Sequence, residues 1–270
     1  MYEIPDVLWD RIVPLLPPLK RKKKKAGRPR MNDRKAMSAI FYVLRTGCQW
    51  KALPRSLGAS STVHDRFQEW RKADGVFKRI WIDGLSVYDK KTGIDWKMAG
   101  YGWMVLLQRH HLGEKGTGSN PTDRSKSGTK RSILVDGNGV PLSVSVDGAN
   151  RHDMKMTKPT LQNVVINKPE PTIKSKQHMC MDKGYDYPEV YELLEDYGYT
   201  IHVRLRGKGR RRYKKIPKYR ARRWVVERTH SWINMFRRLL IRWEKKIENY
   251  IAMLHFACAW ITHRAAELFG

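Results

Sequence analysis

Two carboxylates carry the chemistry open to this chain. The stretch Gln177-His178-Met179-Cys180-Met181-Asp182-Lys183-Gly184-Tyr185-Asp186 reads as a short apolar strand ending on an acid, with a glycine where the backbone must turn. Glu227 lies inside Arg222-Arg223-Trp224-Val225-Val226-Glu227-Arg228, on a later helix. An acid at a strand end and an acid on a helix, in a strongly basic chain, is how a metal-dependent phosphodiester enzyme would be built. Hard divalent cations take oxygen ligands, and clustered acids stay ionised only beside cations. Taken alone, Glu227 would read as a surface acid paired with a neighbouring arginine; Asp182 is what raises it to a candidate.

The composition sets the partner class. The chain has 270 residues, 41% of them hydrophobic, enough for one large domain or two ordinary ones. A formal net charge of +28 and a pI near 10.2 predict a polyanionic partner, nucleic acid first and an anionic membrane second. Ten Trp and twelve Tyr argue against a disordered basic tail. Cys48, Cys180 and Cys258 are far apart, in apolar contexts and without zinc-type spacing, so they read as reduced core residues of a cytoplasmic protein. The N-terminus carries no apolar signal region, and the most apolar helix, Tyr250 to Ile261, is too short to span a bilayer.

The elements that must position the acids follow in order. Asp6 can cap a short helix bearing Leu8, Ile12, Leu15 and Leu16, which Pro17-Pro18 stops. The basic segment 20–30 contains Lys22 and Lys23, then Gly27-Arg28-Pro29-Arg30. It reads either as a solvated linker or as a phosphate-contacting run whose Arg28 and Arg30 could enter a narrow minor groove. Asn32 or Asp33 caps the next helix, with Met37, Ile40, Phe41 and Leu44 on one face and Gly47 at its end. Ser60-Ser61 caps another, with Val63, Phe67 and Trp70 inward. The pair reads as a helix-turn-helix or as an ordinary helical subdomain. In the first case Thr62, His64 and Arg66, which open the second helix, would face DNA. A third helix runs from about Val76 to Val87, and Lys90-Lys91-Thr92-Gly93 marks a boundary, giving domains 1–90 and 91–270.

Beyond it, Arg131 to Val146 spells a β-hairpin around Asp136-Gly137-Asn138-Gly139, where Asp136 looks like turn chemistry. His152, in Ala149-Asn150-Arg151-His152-Asp153, reads as a loop-capping histidine or a neighbour of the site. Pro188 starts a helix closed by Gly198, and Tyr199–Val203 is a further strand. From Arg204 to Arg223, Arg211 and Arg212 included, the chain is densely basic without an acid, fit to track a phosphate backbone. Glu227 then lies on a long helix with Trp224, Trp232, Phe236 and Leu239, and a last apolar helix, Ile251 to Phe269, closes the core. The order fits a mixed α/β fold, a sheet flanked by helices, as in the ribonuclease H-like fold.

The chain resembles the DDE transposases of bacterial insertion sequences with a compact helical DNA-binding N-terminus. The resemblance rests on Leu15-Leu16-Pro17-Pro18, Gly27-Arg28-Pro29-Arg30, Ser119-Asn120-Pro121-Thr122-Asp123-Arg124, Gly128-Thr129-Lys130-Arg131, Val135-Asp136-Gly137, Gly148-Ala149-Asn150-Arg151-His152-Asp153, Asp182-Lys183-Gly184-Tyr185-Asp186 and Arg223-Trp224-Val225-Val226-Glu227-Arg228-Thr229, through to Arg242-Trp243-Glu244. It covers nearly the whole chain. It implies a nuclease and strand transferase for transposon terminal inverted repeats and target DNA. Mg²⁺ (or Mn²⁺) would be held by three carboxylates, and a homodimer would form in the synaptic complex, at the bacterial nucleoid. Asp182 would be the second acid and Glu227 the third, with Arg223 and Arg228 as phosphate ligands.

The first acid of that pattern, an Asp-Gly pair followed by a Lys-Ala-Pro-Leu-Gly-Gly-like run, is missing. Tyr101-Gly102 stands there, and a phenol with a pKa of about 10 cannot replace a carboxylate. Asp95 is six residues off, about 20 Å along a strand. The mismatch is confined to Met98 through about Gly116, which points to frameshifting. Under one permitted choice of codons, shifted frames spell Ala-Met-Asp and then Lys-Ala-Pro-Leu-Gly-Gly across this patch; the two frames differ, so more than one small insertion or deletion is required. This predicts a protein that binds DNA without cutting it, a relic or a repressor of transposition. A general RNA-binding protein would explain the charge but not the two matched acids. The gene's nucleotides from Lys97 to Thr117 test the frameshift: the expected outcome is recovery of both motifs, and shifted frames that spell neither would make the patch authentic.

Overall fold

The computed structural model describes residues 2–18, 29–73, 75–107, 115–120, 125–203 and 223–267, with backbone alone at 98, 100–107, 183 and 223. The N-terminal helices form where apolar spacing and capping agree. Helix α1 (Asp6–Ile12) buries Leu8 and Ile12; Pro5 takes the N-cap position, and Asp6 lies in the first turn, paired with Arg34. Helix α2 (Asp33–Thr46) is capped by Asn32, whose side chain accepts the Lys35 N–H at 3.0 Å, and ends at Gly47 with φ +71°. Helix α3 (Ser60–Lys72) buries Val63, Phe67 and Trp70, but Ala59 rather than a serine holds its N-cap position. Helix α4 (Val76–Lys91) follows. The α2–α3 connection runs from Gly47 to Ala59 through two 3-10 turns, Trp50–Ala52 and Arg55–Leu57. It is therefore longer than the turn of about four residues in a helix-turn-helix.

The sheet is built from β1 (Met98–Leu107), β2 (Gly118–Ser119), β3 (Ser127–Val135), β4 (Pro141–Gly148), β5 (Gln177–Met181) and β6 (Tyr199–Val203), with α5 (Asp153–Gln162) and α6 (Pro188–Asp196) among them. β4 pairs antiparallel with β3, β3 antiparallel with β1, β1 parallel with β5, and β5 parallel with β6; β2 adds to the start of β3. The order β4-β3-β1-β5-β6, an antiparallel meander continued by two parallel strands, is that of a ribonuclease H-like sheet. Met179, Cys180 and Met181 on β5 are all buried, as strands covered on both faces require.

Asp136 locks the β3–β4 turn. Its Oδ1 accepts the N–H groups of Asn138 and Val140 at 2.9 and 2.8 Å, and its Oδ2 accepts the Tyr88 hydroxyl at 3.0 Å and the Asp95 N–H at 3.3 Å. The residue is fully buried; burial pushes its carboxyl up, against the pull of these four bonds. It is a structural acid, as the turn pattern predicts.

The long helix expected around Glu227 is two helices, α7 (Arg223–Asn234) and the short α8 (Arg237–Leu240). Phe236 breaks it, with an extended ψ of 91°. The last helix, α9, spans Ile247–Ala265, earlier at both ends than the sequence pattern placed it. The chain divides into one unit of 1–87 with 233–270 and another of 88–232. Residues 233–270 thus group with the N-terminal helices. α9 is apolar on nearly every side and must be wrapped: Phe256 meets Phe41 and Phe77 at ring distances of 5.7 and 5.2 Å, and Trp260 stacks on Phe41 at 4.0 Å.

Within this helical unit Asp83 accepts bonds from Arg11 at 2.6 and 2.7 Å and lies 3.3 Å from His263. Burial acts to raise its carboxyl, but the bonds from His263 and Arg11 outweigh burial and hold it at about 2. Since this lies below the ordinary 3.8, the ionised group stabilises the fold above about pH 4, and the contribution is lost as the pH falls through about 2. Asp83→Asn is therefore expected to cost about 2 kcal/mol in denaturant unfolding at pH 7, with the difference shrinking toward pH 2. Equal destabilisation at both pH values would contradict this linkage.

Candidate active site

Asp182 follows the last residue of β5 directly, and its carbonyl accepts the Tyr185 N–H at 3.0 Å, closing the 3-10 turn Lys183–Tyr185. A strand end is where a buried run can present a carboxylate to solvent without breaking the ladder, and Asp182 is partly exposed there. The neighbouring strand is β1: Met98 pairs with His178, Ala99 with Met179 and Gly100 with Cys180. Continued by two residues, this register sets Tyr101-Gly102 beside Met181-Asp182. On its other edge Tyr101 pairs with Leu134. Asp95 belongs to the opposite end of the sheet, where its carbonyl accepts the Gly137 N–H at 3.1 Å and its carboxylate the Lys97 N–H at 3.2 Å.

Glu227 is exposed on α7, whose other side buries Val225, Val226, Thr229, His230 and Ile233. The β3–β4 turn seats this helix. Thr229 donates its hydroxyl to the Gly139 carbonyl at 2.6 Å, and Arg228 donates to the Asn138 carbonyl. Gly139, at φ +84°, takes a backbone conformation that side chains rarely adopt, and an added Cβ would sit tightly, 3.0 Å from the Thr229 hydroxyl. The Arg228 guanidinium lies 4.7 Å from the ring centres of both Trp224 and Trp232, so an arginine expected at DNA phosphates is held between two indoles.

The structure adds a group that the acids alone did not single out. Asp153 opens α5 and forms an ion pair with the nearly buried Lys130, which also donates to the Arg151 carbonyl at 2.8 Å. An added Cβ at Gly184 would lie 3.7 Å from Asp153 Oδ2, which places this pair against the Asp182 turn. His152 Nε2 is 3.5 Å from the hydroxyl of Tyr187, which follows the Asp182 turn, and makes no capping bond, which favours the neighbour-of-the-site reading of the two the sequence left open. The sequence signal was Arg151-His152-Asp153 after a strand. Carboxylates at Asp182 and Glu227 suit a hard divalent cation in kind. Among the described residues, no three His, Cys, Asp or Glu side chains gather as a metal group.

The residues expected at DNA are placed unevenly. Lys22, Lys23, Arg28, Arg211 and Arg212 lie outside the described residues, and the side chain of Arg223 does as well. Arg30 is exposed and pairs with Glu69 at 3.0 Å; Thr62 is exposed, and both line an open cleft of about 560 Å³. His64 instead packs edge-on against Trp50 at 5.0 Å and lies 3.3 Å from the Gln68 amide nitrogen. Arg66 borders the same cleft but is bound within the protein. It is 4% exposed, its guanidinium is bound by Asp33 and by the Met31 carbonyl at 3.1 Å, and it lies 5.5 Å from the Trp70 ring centre.

The comparisons with known proteins bear on this geometry. The profile described as "Transposase DDE domain" matches residues 80–262, and "Putative transposase of IS4/5 family" matches residues 4–81. The chain belongs to the DDE transposases. It is 33% identical over 171 residues, 60% of this chain and 77% of the relative, to the "Putative transposase for insertion sequence element IS402" of Burkholderia cepacia. It is 42% identical over 80 residues, 28% of this chain and 54% of the relative, to the "Insertion element IS402 uncharacterized 16.2 kDa protein" of the same organism. A solved "Mos1 transposase paired-end complex with left transposon end" aligns over 85% of this chain and 83% of its own at 11% identity, but its TM-score of 0.28 carries no argument. The DDE transposases are a family of DNA nucleases and strand transferases that typically use a divalent metal. Among the described residues, no helix is long and apolar enough to cross a membrane.

Arg66→Ala should destabilise the helical unit by about 2 kcal/mol, less than the roughly 3–5 kcal/mol of a fully buried pair because the part-exposed Asp33 can rehydrate. The folded fraction should bind DNA as tightly as wild type. Weakened binding at unchanged stability would restore Arg66 to the DNA face.

Proposed function

We propose that this transposase binds the ends of its insertion sequence and does not cut them. The observation that carries the reading is the pairing of β1 with β5, whose register sets position 101, a tyrosine, one residue from Asp182 across the strand boundary. A neutral phenol offers no anionic oxygen to a cation at pH 7. Asp182 and Glu227 are the remaining acids of the set and would hold Mg²⁺ or Mn²⁺, which supplies Lewis acidity toward water or a DNA 3′-hydroxyl. Arg30 and Thr62, at the cleft beside α3, together with the basic segments 20–30 and 204–223, account for DNA binding through phosphate contacts. Two copies would join two transposon ends, as a homodimer at the nucleoid in the cytoplasm. A chain that keeps end binding without cleavage competes with intact copies and so represses transposition.

The test uses purified full-length protein and labelled terminal repeats with Mg²⁺ or Mn²⁺. Wild type is expected to retard the DNA without nicking it. Replacement of residues 98–116 by the shifted-frame sequence is expected to bring nicking, and Asp182→Asn to abolish that gain while leaving retardation intact. Nicking by wild type that Asp182→Asn removes would show that the site is complete despite Tyr101.

A further inference from the structure

The segment leading into β5 is built differently from a surface loop. Its base is pinned. The buried Gln177 donates its side-chain amide to the Pro169 carbonyl at 2.7 Å and accepts from Lys168 Nζ at 2.9 Å. Lys168 also lies 4.8 Å from the Tyr199 ring centre. Pro171 packs so closely on Gly198, at φ +73°, that an added Cβ there would be 2.6 Å from its Cγ. Above this base, Thr172 and Ser175 exchange backbone bonds of 3.2 and 3.1 Å, and the Thr172 hydroxyl accepts the Ser175 N–H at 3.0 Å. The turn they close carries Ile173 and Lys174 at its tip.

Ile173 is 94% exposed, whereas the other large apolar residues at the described surface reach at most 55%. A scattered exposed hydrophobe needs no explanation. A branched one at the tip of a pinned turn, followed by the exposed Lys174 and Lys176, differs in that the turn is already ordered by its own bonds. Lys97 completes a basic rim around a cleft of about 540 Å³ beside the tip; Asp95 also lines it, its carboxylate bound to the Lys97 N–H. Proteins that kink duplexes press apolar wedges, isoleucine among them, between base steps while basic groups take the flanking phosphates.

We propose that the Thr172–Ser175 turn is a DNA wedge: Ile173 enters the minor groove and partly unstacks a base step, while Lys97, Lys174 and Lys176 hold the phosphates on either side. This rests on the reading that the chain acts on DNA, and adds a contact that neither the acids nor the matched motifs contain. The turn lies just before β5 and Asp182 just after it, and the strand's five residues, at about 3.3 Å each, set its two ends roughly 17 Å apart, about five base pairs of duplex.

The probe is an A/T-rich duplex with 2-aminopurine at TA steps, which unstack most readily, titrated with full-length protein at several salt concentrations. Wild type should raise 2-aminopurine fluorescence on binding. Ile173→Ala should lose that rise and bind roughly tenfold more weakly with the same salt slope, and Ile173→Leu should restore both. Lys174→Ala/Lys176→Ala should lower the slope of log affinity against log salt by about 1.8, at about 0.9 per phosphate. All these side chains are at the surface, so folding is not at stake. Wild type that binds while Ile173→Ala matches it in fluorescence and affinity would overturn the wedge and leave the DNA reading standing; wild type with no salt-sensitive duplex binding would overturn both. Ile173-dependent sedimentation with phosphatidylserine vesicles, without an effect on DNA, would assign the tip to a membrane surface instead.

Discussion

The sheet unit depends on one buried carboxylate. Burying an ionised acid is costly unless its oxygens are filled, and Asp136 fills both. The bonds to Asn138 and Val140 shape the β3–β4 turn, and those from Tyr88 and Asp95 tie the end of α4 and the entry to β1 to the same point. Everything the chemistry needs is hung from that point. β1 enters in register with β5, which Asp182 directly follows. α7 sits on the carbonyls of Asn138 and Gly139 and turns Glu227 outward. The acid that looks least catalytic in the sequence therefore sets the frame for the two that look most so. A similar logic holds at Lys130 and Asp153, where an ion pair with little exposure props α5 against the Asp182 turn.

A large positive charge overstates the DNA face. Several arginines are consumed inside the protein, where planar guanidinium groups satisfy carbonyls and carboxylates at once. Arg66 does this with Asp33 and Met31. Arg238 pairs with Glu244 at 2.6 Å and also donates to the Cys48 carbonyl at 3.0 Å, and the fully buried Arg242 caps the Glu244 and Lys245 carbonyls at 3.0 and 3.1 Å. The motif Arg242-Trp243-Glu244, matched to the family by sequence, is thus part of how the C-terminal helices are joined. Lysines such as Lys97, Lys174 and Lys176 stay at the surface, as strongly hydrated point charges do, and are the better guide to where a polyanion lies.

What the sequence determined by itself was whatever short-range physics controls. Apolar spacing and the Asn32 cap specified α2, the Asp136-Gly137-Asn138-Gly139 turn specified the hairpin, and a buried run followed by an acid and a glycine specified the strand end at Asp182. Tertiary structure decided the rest. The fate of Arg66 depended on Asp33, and the position of Arg238 on Cys48, 190 residues away. The break at Phe236 depended on the aromatic core around Phe41, and the membership of α9 on which helices could wrap it. Helix and turn formation are settled within a few residues of chain, whereas burial of a charge or of an all-apolar helix is settled by partners that only folding brings within reach.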